Sequence, residues 1–323
     1  MTRKLRIEYE GAVYHVINRG NYRADIFEQS GARAAFLKCL DEACQKSGWI
    51  VHAWVIMRNH YHLALETPRG NLVPGMQWLQ ATFAARFNRF RKESGHIFQG
   101  RYKAILIEPD RSLGSLCQYI HLNPVRAKIV PASELARWPW SSCSWITQPN
   151  ERLSWFSPKE VLSHAGGCKD TPLGRRDYVE FLERLSAEPQ EQKNCGFDQM
   201  SKGWAVGSID FKNALIDEHK SKLMEISLGG NETIEARELF WEQQLQKVLS
   251  WISPTKQRDS AKSADWRVAT AAIMKKHTTA SNPWLAKRLE MGSPFTVSRL
   301  VSECWQGTRA AREYKRLTAK SKV

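Results

Sequence analysis

Ala12–Asn18 (AVYHVIN) alternates apolar and polar positions and ends at Arg19-Gly20-Asn21, the pattern of a half-buried strand entering a turn. From Ala32 to Lys46 the period lengthens. Phe36, Leu37, Leu40 and Ala43 recur at helical spacing. Trp49–Met57 predicts a strand, Arg58-Asn59 a tight turn, and His60–Glu66 the returning strand. Val73–Lys92 predicts a long helix with Met76, Leu79, Phe83 and Phe87 on its apolar face. Tyr102–Ile107 predicts a further strand. Ser112–Asn123 predicts a helix opened by Asp110 or Ser112 and closed before Pro124. The order strand-helix-strand-strand-helix-strand-helix implies an α+β fold, one antiparallel sheet backed by helices.

Beyond residue 130 the pattern weakens. Pro, Gly and Ser are frequent from Pro131 to about Gly207, which reads as poorly defined connecting structure. Amphipathic helices are expected near Asp210–Glu225 and Thr233–Ile252, the second capped by Asn231. Ser253–Ser263 has linker composition. Trp266–Lys276, Pro283–Met291 and Pro294–Ser302 predict three short helices, with Pro283 and Pro294 at first helical positions and Gly292-Ser293 supplying a turn. Three domains follow from this reading: residues 1–145, a connecting and largely helical region 146–262 of no assigned role, and a helical module 263–323.

Charge sharpens that division. The 323 residues carry a net +15, distributed as +9 over residues 1–130, −2 over 131–263 and +8 over 264–323. Two basic modules flanking a near-neutral middle suit a polyanion partner, because neutralised phosphates release counterions. Seven cysteines without a CxxC pair argue against a disulfide scaffold and a cysteine zinc site. No apolar stretch approaches the ~20 residues of a membrane span, and the polar start Thr2–Glu10 lacks a secretion signal. A reducing cytoplasm is the expected setting.

The sharpest chemistry lies in Arg58-Asn59-His60-Tyr61-His62. Residues i and i+2 of a strand share a face, so His60 and His62 can direct both imidazoles to one metal ion. Tyr119 and Asn123 stand four apart on a helix, so one face could bring a phenol and a carboxamide to that ion. Pro124 disfavours helical geometry at Asn123. Gln99, Glu66, His15 and His121 are alternative third ligands.

These residues sit in five ordered blocks: Gly11–Gly20 (GAVYHVINRG), His52–Leu65 (HAWVIMRNHYHLAL), Gly95–Ile107 (GHIFQGRYKAILI), Tyr119–Ala127 (YIHLNPVRA) and Trp138–Ser142 (WPWSS). In them the chain resembles the REP-associated tyrosine transposases, a bacterial branch of the HUH single-tyrosine transposases. The resemblance implies a ferredoxin-like α+β core that nicks single-stranded DNA at palindromic hairpin elements. It implies Tyr119 as nucleophile, and His60, His62 and Asn123 as ligands of Mg²⁺ or Mn²⁺. Arg58 departs from the proline common before the Asn-His turn in that family and would add a charge facing phosphate.

A covalent tyrosyl phosphate would conserve the phosphodiester for rejoining. For gripping DNA, Arg86, Arg89, Arg91 and Lys92 interleave with Phe87 and Phe90 at one helix end, and Arg101, Lys103 and Arg126 lie in the matching blocks. In the C-terminal module, Ala286, Val297 and Leu300 would pack a helix-turn-helix whose Ser293, Thr296, Ser298 and Arg299 face a major groove. The expected partners are single-stranded and hairpin DNA, with no membrane, for a monomer or homodimer associated with a bacterial nucleoid. Three alternatives are a non-catalytic DNA-binding regulator of transposase descent, a rolling-circle initiator or relaxase, and a metal-dependent hydrolase using water.

Overall fold

A computed structural model describes residues 7–219 and 231–320. They fall into two compact units, the first ending at Lys212 and the second starting at Asn213. Four strands form the centre of the first unit: β1 (Ala12–Arg19), β2 (Ile50–Ile56), β3 (His60–Thr67) and β4 (Lys103–Ile107). They pair antiparallel in the order β2-β3-β1-β4. The β1–β3 register sets Ile17 opposite His62 and His15 opposite Ala64. The β1–β4 register sets Ile17 opposite Lys103 and His15 opposite Ile105. Because side chains alternate, His60, His62, Glu66, His15 and Lys103 share one face, while Tyr61, Leu63 and Leu65 share the other.

The second face is mostly apolar, with Asn18 and Thr67 at its ends. Helices α1 (Ser30–Ser47) and α2 (Leu72–Arg91) pack there. Phe36 lies 4.5 Å from Tyr61 ring to ring, and Phe27 and Phe83 complete the cluster. Helix α1 ends where Gly48 takes a left-handed φ of 69°, a conformation that suits a residue without a Cβ.

Helix α3 (Pro109–Arg126) crosses the first face, against β1, β2 and β3. It begins three residues before the expected start, with Pro109 in its first turn, and it continues through Pro124 instead of stopping there. A proline removes one N–H near the end of a helix, where packing of Leu122 and Pro124 outweighs the lost bond. Gly114 lets α3 lie close against its neighbour, since a Cβ there would come within 2.1 Å of His164.

Residues 131–207, expected to be poorly defined, are ordered. They contain the helices α4 (Cys143–Thr147), α5 (Lys159–Ser163), α6 (Pro172–Ala187) and α7 (Pro189–Asn194) and a fifth strand, β5 (Ala205–Val206). Strand β5 is parallel to β4, so the sheet is mixed rather than wholly antiparallel. This segment also covers both sheet edges. Ile56 N–H donates to Trp140 O (2.9 Å) and Val51 N–H to Trp155 O (2.9 Å) at the β2 edge, while β5 occupies the β4 edge.

Helix α8 (Ile209–Glu218) contains the division between the units. Its expected continuation to Glu225 lies outside the described residues. The described part of the second unit is helical: Asn231–Ser250, Pro254–Gln257, Asp265–His277, Asn282–Arg288, Pro294–Trp305 and Ala311–Lys320. Asn231, expected as a cap, is the first residue of its helix. The 253–263 linker includes one helical turn. Ser281 and Ser293 cap the helices they precede, accepting from Trp284 N–H (3.4 Å) and Thr296 N–H (3.1 Å). Ala286, Val297 and Leu300 are buried around the turn between those two helices.

Candidate active site

The face beneath α3 is unusual for the interior of a sheet because it holds polar side chains in a chain of hydrogen bonds. His15, fully buried on β1, uses Nδ1 toward Met200 O (2.6 Å) and Nε2 toward His62 Nδ1 (2.8 Å). A carbonyl only accepts, so His15 Nδ1 carries the proton. Burial lowers the pKa of His15 to about 4, and the neutral ring presents Nε2 as an acceptor. His62 Nδ1–H therefore donates to it, and the Nε2 of His62 keeps its lone pair. Burial, with the neighbouring His15, His60 and Arg126, holds His62 well below the ordinary imidazole range as well.

His60 is fixed in the same way. Its Nδ1 lies 2.7 Å from Asn59 Oδ1, and the Asn59 amide is oriented by donating from Nδ2 to Arg23 O (3.3 Å). His60 Nδ1–H is thus the donor, and its Nε2 is unprotonated in the neutral ring. Burial and nearby Arg19 lower its pKa to about 4. The two rings sit 5.0 Å apart, nearly perpendicular. Two imidazole nitrogens with lone pairs, each oriented by a bond from the opposite ring nitrogen, are a donor set that fits a divalent ion.

Tyr119 completes the patch. Its ring lies 5.8 Å from both His62 and His15, edge to face, and its hydroxyl is hydrogen-bonded to Ser201 Oγ (2.9 Å). Arg126, two turns along α3, places its guanidinium 5.1 Å over the Tyr119 ring and 5.5 Å over Phe197. Asn123 is half-buried on the intervening turn.

The alternative third ligands have polar atoms committed elsewhere. Both nitrogens of His15 are engaged, as are those of His121, with Tyr178 Oη (2.7 Å) and Ser142 Oγ (2.8 Å). Glu66 binds His52 Nε2 (3.0 Å), and Gln99 Oε1 accepts from Arg19 Nε (2.5 Å). Among the described residues, no three His, Cys, Asp or Glu side chains gather as a ligand set. The seven cysteines are unpaired.

Of the expected DNA contacts, Lys103 and Arg126 stand at this patch. The Lys103 ammonium donates to Ser201 O (2.9 Å). Arg86, Arg89, Arg91 and Lys92 belong to the end of α2, which packs on the opposite face. There Arg86 makes a two-point pair with Glu42 (2.8 and 2.9 Å), and Arg91 pairs with Glu93 (3.0 Å) while lying over Phe87. Arg58, in the β2–β3 turn, pairs with Asp25 (3.1 Å), and Arg101 is exposed before β4. Thr296, Ser298 and Arg299 lie on the second unit's helix Pro294–Trp305. Ser298 and Arg299 are exposed, and Arg299 bonds to Glu303 (2.6 Å).

Phe197, Met200 and Ser201 reach the site from a segment to which the sequence assigned no role. Strand β5 carries them there: Leu106 N–H donates to Trp204 O (3.0 Å) and Glu108 N–H to Val206 O (2.9 Å), fixing the chain just after Ser201. A backbone carbonyl and one hydroxyl leave no pattern in a sequence.

No helix among the described residues is long and apolar enough to cross a membrane. No curated protein matches the chain. The chain is similar to a solved structure described as a "REP associates tyrosine transposase bound to a REP hairpin". Identity is 16% and the TM-score 0.39, over 49% of this chain and 92% of that one. Residues 8–123 match the family model for IS200-like transposases. That matched span runs from just before β1 to Asn123 and contains His60, His62 and Tyr119.

Proposed function

We propose that this protein is a metal-dependent single-strand DNA endonuclease and strand transferase that nicks and rejoins hairpin DNA through Tyr119. One observation carries the reading: Tyr119 packs against His62, and His62 and its neighbour His60 each engage Nδ1 in a hydrogen bond, with His15 and with Asn59.

Tyr119 Oη attacks the scissile phosphorus, the P–O3′ bond breaks, and the products are a 5′-phosphotyrosine and a free 3′-hydroxyl. Attack by that hydroxyl, or by another strand's, reverses the step and regenerates the phenol. His60 and His62, with Asn123 as third ligand, would hold a Mg²⁺ or Mn²⁺ ion, which supplies Lewis-acid polarisation of a non-bridging phosphate oxygen. Arg126 and Lys103 bring positive charge to the same patch for the phosphate backbone. Arg58 and Arg101 would extend this grip, and the second unit's helix with Thr296, Ser298 and Arg299 would hold duplex DNA. The hairpin substrate and bacterial nucleoid setting come from the five sequence blocks.

The test is incubation with Mn²⁺ and end-labelled hairpin DNA, resolved on a denaturing gel. A protein–DNA band of reduced mobility is the expected result. Tight binding without that band would replace this reading by the non-catalytic regulator.

A further inference from the structure

We infer that His15 and the Met200 carbonyl form a positioning relay that fixes His62 as a metal ligand. The inference rests on the nicking reading for its biological meaning, but the relay itself can be measured without any nicking.

The geometry allows one arrangement of protons for neutral rings. Met200 O can only accept, so His15 Nδ1 donates, and His15 Nε2 must accept from His62 Nδ1–H. A neutral histidine side chain in water ordinarily favours the proton on Nε2, the atom a ligand at this patch needs bare. The relay opposes that preference at His62, a buried ring that packs against Tyr119. The relay's anchor is also well held. Ser201, next in sequence, accepts from Lys103 through its carbonyl and bonds Tyr119 through its hydroxyl, and β5 secures the chain three residues later. One segment far from the motif blocks thus touches nucleophile and ligand support together. His15 lies in the GAVYHVINRG block, so a block residue outside the ligand set gains a stated purpose: it holds His62 from behind.

Nitrogen-15 imidazole spectra of the metal-free protein read the tautomer directly. Wild type should show His62 as the Nδ1–H form. Finding the Nε2–H form there overturns the relay without need of any variant. His15→Phe fills the space but can neither donate nor accept. It should return His62 to the Nε2–H form and weaken Mn²⁺ binding about 10–100-fold, the usual effect of removing such a support. His15→Gln can accept from His62 and donate to Met200 O, so it should keep both the Nδ1–H form and Mn²⁺ affinity within about threefold. A His15→Phe protein that retains either the wild-type tautomer or the wild-type Mn²⁺ affinity overturns the proposal. If wild type shows the Nδ1–H form and binds Mn²⁺ yet forms no covalent adduct on hairpin DNA, the nicking reading fails while the relay stands.

Discussion

Tyr61 and His62 are neighbours in sequence and occupy opposite worlds. Tyr61 points into an aromatic cluster with Phe36, Phe27 and Phe83 beneath α1 and α2, where burial of large rings supplies stability. His62 points under α3 into a layer of imidazoles, a phenol and an ammonium group, each held by a named partner. Such a polar layer adds little net stability, because each buried group first loses its hydration. The difference teaches that β3 divides its labour by alternation. One face holds the sheet together so that the other can present chemistry.

Substitutions on the two faces should therefore fail in different ways. His60→Ala, on the polar face and half-buried, is expected to reduce covalent adduct formation at least about 10³-fold in single-turnover gels. Its melting temperature should stay within a few degrees of wild type. Tyr61→Ala should do the reverse, costing about 3–5 kcal/mol in chemical denaturation through the cavity it leaves. Adduct formation by its folded fraction should persist. Equal loss of activity in both variants at equal stability would break the distinction.

Acid sharpens the comparison, because His15 on the polar face and His121 on α3 are both buried. His121 has its pKa lowered to about 3 by burial, and His15 to about 4. An unfolded histidine titrates near 6.5, so between these values the unfolded chain binds more protons. The stability from keeping each ring neutral is complete above pH 6.5 and declines as pH falls toward the folded value. Moving from pH 7.5 to pH 5 should cost about 2 kcal/mol per ring in urea unfolding. Stability unchanged over that interval would contradict the burial of neutral imidazoles.

A smaller effect concerns the linkage between α3 and its support. Gly114→Ala forces a Cβ against His164 and should cost about 1–3 kcal/mol. Displacing α3 moves Tyr119, so adduct formation should fall by more than stability predicts. The smallest effect belongs to the opposite face. Arg91→Ala removes one exposed charge already paired with Glu93, and should change hairpin affinity less than twofold, with a change in salt dependence below one phosphate contact.

The strands and helices of the first 126 residues were legible because their hydrophobic periods are regular and their motifs sit at turn positions. Strand β3 and its His60–His62 pair could be read directly from alternation. Three features could not. Helix α3 passes through Pro124, where packing overrides a local preference. Strand β5 has two residues, too few to show a period. Met200 meets His15 across 185 positions through a backbone carbonyl, which any residue possesses.

The most direct measurement is the covalent adduct itself, with wild type and Tyr119→Phe compared on the same end-labelled hairpin DNA in Mn²⁺ and in EDTA. Wild type should give a shifted, protease-sensitive band in Mn²⁺ alone, and the variant none despite hairpin binding within about threefold of wild type. Cleavage by Tyr119→Phe at the wild-type rate, or cleavage by wild type without a linked protein, would contradict nicking through Tyr119.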